Sequence, residues 1–265
     1  MAKGEGMKKS AEKYAREQLF GSRLFPTVRN AYQFVFDREK LASRRRMLDF
    51  YAGFVSRGDL VFDVGANFGE YSDAFLALRA RVVAVEPNPV CCERLKMVAK
   101  RGSLLIENCA IGDAEGTASM HICSAPGLST LSNEWYETAR TSPIHGNASW
   151  SDIPEVRVTT LDKLAEKHGV PTFIKIDVEG FEAQVLAGMS FQPKALSFEF
   201  HFSLLNLASA CLRNPILQTA YQFNYFVGNH PSFELTEWVG AKEIEALLAQ
   251  ADLAEEYGEI FCRRN

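Results

Sequence analysis

From residue 59 onward, short apolar runs alternate with segments in which apolar residues recur at helical spacing. The runs Leu60–Val64 and Arg81–Val85 are typical of strands buried in a parallel sheet, because such strands are apolar on both faces. Between them, Tyr71, Phe75 and Leu78 lie on one face of a predicted helix. Strand, helix and strand in close succession predict right-handed crossovers and a parallel sheet.

Further strand-like runs continue toward the C-terminus, with one predicted antiparallel strand among them at 118–123. The other predicted strands are 104–106, 172–177, 195–200, 222–227 and 259–262. A helix marked by Ile244, Leu247 and Leu248 separates the last two. We therefore predict an α/β fold with a Rossmann-like, mostly parallel sheet.

Two segments depart from this alternation. Residues 1–57 lack strand-like runs, and Phe50 and Phe54 follow a helical spacing. We predict a helical N-terminal extension or cap there, before a main domain at 58–265. Residues 124–154 are rich in Ser, Thr, Asn, Pro and Gly, which predicts a mobile loop or lid, with a disordered surface insertion as the alternative.

The composition is that of an ordinary globular protein. Of 265 residues, 47% are hydrophobic and 23% are charged, which is enough to bury a core. A formal charge of -4 gives no general attraction to nucleic acid, so we expect no such partner. The six cysteines form no CxxC pair, and no apolar run has the length of a secretory or membrane-spanning segment. We therefore expect a cytoplasmic protein without a membrane span.

Acidic side chains lie at or just beyond the carboxyl ends of four predicted strands: Asp63, Glu86, Asp177 and Glu199. Open parallel sheets bind ligands at that edge. The turn at 65–69 has glycines that permit close approach of a ligand, but it lacks the GxGxxG pattern of dinucleotide sites. Asp63 suits the sulfonium cation of S-adenosylmethionine better than a pyrophosphate, so we predict S-adenosylmethionine as the cofactor.

Glu86 strengthens this prediction. It follows the glycine turn by about twenty residues, the spacing at which an acidic side chain accepts hydrogen bonds from ribose hydroxyls. A solvated carboxylate at a strand end is the alternative, and the preceding glycine turn makes it the weaker one.

Several blocks of sequence resemble the FkbM-type methyltransferases, a branch of the class I enzymes that depend on S-adenosylmethionine. The blocks keep the family's order and are 62–69 (FDVGANFG), 85–89 (VEPNP), 108–113 (NCAIGD), 129–131 (STL), 158–162 (VTTLD) and 174–182 (IKIDVEGFE). The last block is the most specific, and outside the span from about residue 60 to 200 the resemblance is weak.

The resemblance implies a class I fold, with a mostly parallel seven-stranded sheet whose last strand is antiparallel. It also implies methyl transfer, commonly to a hydroxyl oxygen of a sugar, lipid-linked glycan or secondary metabolite. Asp177 would face the methionine amino group or the reacting centre. The other implied cofactor-binding residues hold the methionine part, the ribose or the adenine: Asp63, Gly65, Ala66, Asn67, Gly69, Glu86, Pro87, Asn108 and Ala110.

A hydroxyl is a poor nucleophile unless its proton is accepted as the new bond forms, so we expect a general base. His201 is the first candidate, because it follows a strand that ends toward the site and imidazole titrates near neutral pH. A structural histidine is the alternative interpretation. Glu179, Glu182 and Glu199 are the other candidates for the base, beside Asp177 at the reacting centre.

A cluster of Asp177, Glu179, Glu199 and His201 can also bind a divalent cation that acidifies the acceptor hydroxyl. We rank this below a metal-free reaction, because the block at 174–182 has a sufficient role without metal.

Two other functions fit the same architecture. A nicotinamide-dependent oxidoreductase is disfavoured by the missing GxGxxG pattern and by the lack of a Tyr-x-x-x-Lys pair. A non-catalytic module that keeps the fold and the cofactor is the second alternative, because the residues on the acceptor side are the least constrained by the motifs.

Overall fold

A computed structural model describes residues 41–142, 148–228, 231–251 and 257–265. Residues 47–265 form one compact unit, so the chain from 47 to 57 packs with the main domain. The predicted cap up to residue 40 lies outside the described residues, and its role stays a prediction. No described helix has the length and apolar character needed to cross a bilayer.

The strands, numbered along the chain, make up one large and one small sheet. They are β1 Leu60–Val64, β2 Arg81–Val85, β3 Leu104–Glu107, β4 Ala110–Ile111, β5 Gly116–Cys123, β6 Trp150–Thr159, β7 Phe173–Ile176, β8 Ala195–His201, β9 Tyr221–Val227 and β10 Tyr257–Arg264. The large sheet has seven strands in the order β3-β2-β1-β7-β8-β10-β9, and β4, β6 and β5 form the small one. In the large sheet β10 runs antiparallel to both of its neighbours. The predicted α/β class and mostly parallel seven-stranded sheet are confirmed.

Helices cover both faces of the large sheet. They are α1 Glu70–Ala77, α2 Pro89–Ala99, α3 Asn133–Thr141, α4 Leu161–His168, α5 Glu182–Ala187, α6 Leu205–Leu212, α7 Pro215–Ala220 and α8 Ala241–Gln250. Alternate residues of β1 pack against the helices on the two faces of the sheet. Phe62 packs with α5 and α6 residues on one face, whereas Val61 packs with α1, α2 and Tyr51 on the other. This arrangement explains why β1 is buried on both faces and apolar at every position except Asp63.

The order of the strands reverses between β1 and β7. From β1 the chain moves outward through β2 to β3, and from β7 it moves in the opposite direction to β8. The loops that leave the carboxyl ends of β1 and β7 therefore diverge to opposite sides of the sheet. Such a reversal opens a crevice in which α/β proteins bind their ligands.

The prediction of a loop over 124–154 is wrong for much of that segment. It contains the helix α3 and, from Trp150, the first residues of β6. The hydroxyl of Ser132 accepts a hydrogen bond from the N–H of Trp135 and so caps α3. Trp135 and Ala139, one turn apart, are buried. The polar composition of the segment concealed this short amphipathic helix.

Replacing Ser132 with alanine should lower the free energy of unfolding by about 1 kcal/mol, because an N–H at the start of α3 loses its acceptor. Urea unfolding followed by circular dichroism measures this change. Ser132→Thr keeps the hydroxyl and should retain most of the stability. Equal stability of Ser132→Ala and the unmodified protein would show that the cap contributes nothing.

Candidate active site

A cavity of about 480 Å³ opens at the carboxyl ends of β1, β2, β7 and β8. This volume is within the range of small-molecule and cofactor sites. Most of the site residues expected from the sequence line it: Gly65, Ala66, Asn67, Glu86, Pro87, Ala110, Asp177, Glu179, Glu199 and His201. The strand ends have thus brought together residues that are far apart in the sequence.

Asp63 and Gly69 do not line the cavity. Asp63 is 1% exposed, and its carboxylate accepts a hydrogen bond of 2.6 Å from the hydroxyl of Ser72 on α1. Burial raises the pKa of Asp63 to about 6, although the bond from Ser72 lowers it. Gly69 packs against α2, since a β-carbon there would lie 2.7 Å from Leu95 Cδ2. Both residues therefore support the turn at 65–69 through contacts with the helices and not through the cavity wall.

Asn108 is also outside the cavity wall. Its amide nitrogen donates hydrogen bonds to the carbonyl oxygens of Glu86, at 2.9 Å, and Pro87, at 3.1 Å. Asn108 therefore holds the chain that follows β2 in place. The resemblance had implied a position beside the adenine ring instead. Its neighbour Ala110 does line the cavity.

Gly65 is the point of closest approach between the ends of β1 and β7. Its φ is +82°, and a β-carbon would lie 1.7 Å from the carbonyl oxygen of Asp177. The N–H groups of Gly65 and Ala66 donate to the carbonyl of Val85 at 3.0 and 3.1 Å. Only glycine fits both this conformation and this space.

Glu86 links the glycine turn to the end of β2. Its carboxylate accepts hydrogen bonds of 2.8 Å from the backbone N–H groups of Asn67 and Asn88. Burial raises the pKa of Glu86 to about 7, although these two bonds lower it. Because the residue also lines the cavity, it stands where a ribose-binding carboxylate is expected, and that role stays a prediction.

The described wall of the cavity is acidic. Five of its residues carry carboxylates, namely Glu70, Glu86, Asp177, Glu179 and Glu199, whereas His201 is the basic one and no lysine or arginine is among them. A cavity lined in this way favours a cationic ligand. Another part of the wall is apolar and includes Cys109, Ala110 and Ile111, which suits a flat, uncharged group.

Glu179, Glu199 and His201 form a cluster at the cavity, which we call the acid–histidine cluster. His201 Nε2 lies 3.3 Å from Glu199 Oε2 and 3.6 Å from Glu179 Oε2. Burial lowers the pKa of His201, but the two glutamates outweigh it and raise that pKa to about 10. In this state His201 is an imidazolium, which cannot accept a proton. The roles of His201, Glu179 and Glu199 as the general base stay predictions.

The backbone at Glu179 is unusual, and its neighbours hold it in place. Its φ is +55°, in the left-handed region that few residues other than glycine adopt. Its carbonyl accepts a hydrogen bond of 2.6 Å from the hydroxyl of Thr130. Glu182 accepts hydrogen bonds from the N–H groups of Val178 and Gly180 and so closes the same turn. Glu182 does not line the cavity, which argues against the sequence-based suggestion that it is the base.

The cavity wall also includes Trp135, Tyr257 and Thr130, to which the sequence analysis gave no role in the site. The ring of Trp135 lies over that of His201, with 4.1 Å between their centroids. Tyr257 pairs with His201 across β10 and β8. Thr130 was part of the STL block, but Trp135 lay in the segment predicted as a loop, and Tyr257 had no signal.

The chain matches known proteins over most of this region. Residues 63–248 match the family described as the methyltransferase FkbM domain. The hexuronic acid methyltransferase AglP of Haloferax volcanii is 31% identical over 146 residues, which are 53% of this chain and 54% of that protein. The 31-O-demethyl-FK506 methyltransferase FkbM of Streptomyces tacrolimicus is 30% identical over 158 residues, covering 50% of this chain and 60% of that protein. The chain thus spans a little over half the length of these relatives.

Solved structures align with lower similarity. The precorrin-6Y C5,15-methyltransferase of Geobacter metallireducens has a TM-score of 0.44 and 10% identity, with 84% of this chain and 87% of that chain covered. A TehB-like methyltransferase of Corynebacterium glutamicum has a TM-score of 0.43 and 8% identity, with 91% and 100% covered. The match to the family covers more than half of the chain, and the strand order and the cavity agree with it. The chain belongs to the FkbM family of methyltransferases, and its cofactor is S-adenosylmethionine.

Proposed function

We propose that the protein transfers the methyl group of S-adenosylmethionine to a hydroxyl oxygen of a sugar or another small hydroxylated molecule. The observation that carries this proposal is the acid–histidine cluster, whose two carboxylates line the cavity at the carboxyl ends of the strands. Such groups can take the proton that a hydroxyl must lose.

The residues of the cavity fit the cofactor. The carboxylates of the wall suit the sulfonium and ammonium groups, and the apolar stretch at Cys109 to Ile111 suits the adenine. The turn at Gly65 would hold the methionine part and Glu86 the ribose, while Asp177 would face the ammonium group. When bound, S-adenosylmethionine supplies an activated methyl group on a positively charged sulfur.

The chain's own residues then orient the acceptor and remove its proton. Held by the turn at Gly65, by Glu86 and by Asp177, S-adenosylmethionine would supply the methyl group for the new carbon–oxygen bond, and its sulfur would keep the electron pair of the carbon–sulfur bond. A carboxylate of Glu179 or Glu199 receives the hydroxyl proton in the metal-free reaction. Trp135 and Thr130, from the segment 124–154, line the cavity and would help to enclose the acceptor.

The acidic wall also indicates which oxygen is methylated. A carboxylate acceptor would be repelled by Asp177, Glu179 and Glu199, whereas a neutral hydroxyl would not. The name of the FK506 relative specifies a methyl group on oxygen, which agrees with this proposal, whereas the other relative is named for a hexuronic acid, which carries both hydroxyls and a carboxylate.

Incubation with S-adenosylmethionine that carries a deuterated methyl group tests the proposal. The acceptors are a panel of uronic acids, neutral sugars, polyketide alcohols and amines, and mass spectrometry with fragmentation locates the label. We expect label on a hydroxyl oxygen. Label on nitrogen, carbon or a carboxylate would contradict the proposal. Binding of S-adenosylhomocysteine without turnover of any acceptor would favour the non-catalytic module.

A further inference from the structure

We propose that Glu179, Glu199 and His201 form a binding site for one divalent cation. A carboxylate oxygen of each glutamate and a ring nitrogen of His201 lie within 4.8 Å of one another. All three residues line the cavity, so an ion held there would be open to a ligand on one side. The cation site extends the proposed function, and its catalytic role rests on that proposal.

The distances in the cluster fit shared coordination. His201 Nε2 is 3.3 Å from Glu199 Oε2 and 3.6 Å from Glu179 Oε2. Ligand atoms that each lie about 2.1 Å from one ion, at octahedral or tetrahedral angles, are about 3.0 to 3.5 Å apart. Small side-chain adjustments would therefore place all three atoms around an ion.

Glu179 Oε2 provides an independent indication. This atom is buried, and among the described residues it has no hydrogen-bond partner. The side chain of Glu179 is only 12% exposed. A buried carboxylate oxygen without a hydrogen bond is costly, and a bound cation would satisfy it.

The charge balance points the same way. Two glutamates face one imidazole, and Asp177, which also lines the cavity, lies two residues before Glu179. The cation Lys175 contacts Asp177 and Glu259, and no contact joins it to the cluster among the described residues. A divalent ion would therefore neutralise two carboxylates that, among the described residues, only His201 offsets.

The ligand set indicates the class of ion. Two carboxylate oxygens and one imidazole nitrogen suit Mn²⁺ or Zn²⁺, and also Mg²⁺ with additional waters, better than they suit Ca²⁺. The open positions would take the acceptor hydroxyl, whose proton would then dissociate more readily and pass to Asp177, a carboxylate of the same cavity that is not a ligand of the ion. With the ion bound, His201 would have lost its extra proton and would act as a neutral ligand. This is the metal-assisted reaction that the sequence analysis ranked below the metal-free one.

Titration of the chelator-treated full chain with Mn²⁺, followed by electron paramagnetic resonance of the free ion, tests the site. We expect one Mn²⁺ per chain. Glu199→Gln, which keeps the size of the side chain, should weaken the affinity by at least about tenfold. Glu70→Gln is the matched control, because Glu70 lines the same cavity outside the cluster and its loss should leave Mn²⁺ affinity unchanged. Circular dichroism checks that both variants fold.

Lack of Mn²⁺ binding by the unmodified chain, or equal affinity in Glu199→Gln, would overturn the cation site. Calorimetric titration with S-adenosylhomocysteine in the presence of EDTA separates this failure from that of the proposed function. Binding of S-adenosylhomocysteine without binding of Mn²⁺ would reject the cation site alone. Binding of Mn²⁺ without S-adenosylhomocysteine would support the cation site and reject the proposed function.

Discussion

Replacement of Gly65 with alanine should weaken the binding of S-adenosylhomocysteine by at least about 100-fold, or about 2.8 kcal/mol. The new β-carbon would lie 1.7 Å from the carbonyl oxygen of Asp177, a backbone atom that cannot rotate away. The φ of +82° adds strain of about 1–2 kcal/mol for any residue with a β-carbon. The carboxyl ends of β1 and β7 must move apart to relieve the clash, and the cavity opens at these ends.

Calorimetry with S-adenosylhomocysteine measures this loss, and circular dichroism reports whether the fold persists. Gly116→Ala is the control. A β-carbon at Gly116 meets no atom within 4 Å, so that variant should bind like the unmodified protein. Undiminished affinity of a folded Gly65→Ala variant would show that the turn after β1 does not border the cofactor.

The sequence predicted the framework of the site because strand ends leave a local signal. β1 and β2 are apolar on both faces, so their limits can be read from the chain, and Glu86 follows directly. The reversal of strand order between β1 and β7 then follows from the motif order and the expected fold. The proximity of Gly65 and Asp177 could therefore be anticipated, although its tightness could not.

The direction and partners of single side chains could not be predicted. Asp63 is on the face of β1 that packs against α1, where its carboxylate accepts a hydrogen bond from the hydroxyl of Ser72, so it turns away from the cavity. The position of Trp135 over His201 depends on a helix that composition alone concealed. The charge of His201 depends on two glutamates whose distances appear only in the folded chain.

Lys175 is a further case in which the partners appear only in the folded chain. Asp177 is one partner, at 3.2 Å. The other partner, Glu259 on β10, lies 3.5 Å away and has no signal in the sequence. The ammonium group also lies 4.2 Å from the centre of the Tyr71 ring. Contacts of this kind join residues far apart in the sequence, and they form only when the strands and α1 pack together.

Replacement of Lys175 with methionine should lower the free energy of unfolding by about 3–5 kcal/mol. The Lys175 side chain is 2% exposed, and methionine matches its length but leaves Asp177 and Glu259 without their cation. Burial lowers the pKa of Lys175, but these two carboxylates outweigh it and raise that pKa, so the lost charge is a full one. Urea unfolding measures the loss.

The double variant Lys175→Met/Glu259→Gln separates charge from packing. If the uncompensated carboxylate causes the loss, removing its charge should restore part of the stability, and the two changes will not be additive. Tyr51 donates to the carboxylate of Glu259 at 3.2 Å and can still donate to the amide oxygen of glutamine. Lys163→Met, at an exposed pair with Glu166, should leave stability unchanged. Additive losses would instead assign the role of Lys175 to its packing in the core, because no charge interaction would then remain to explain them.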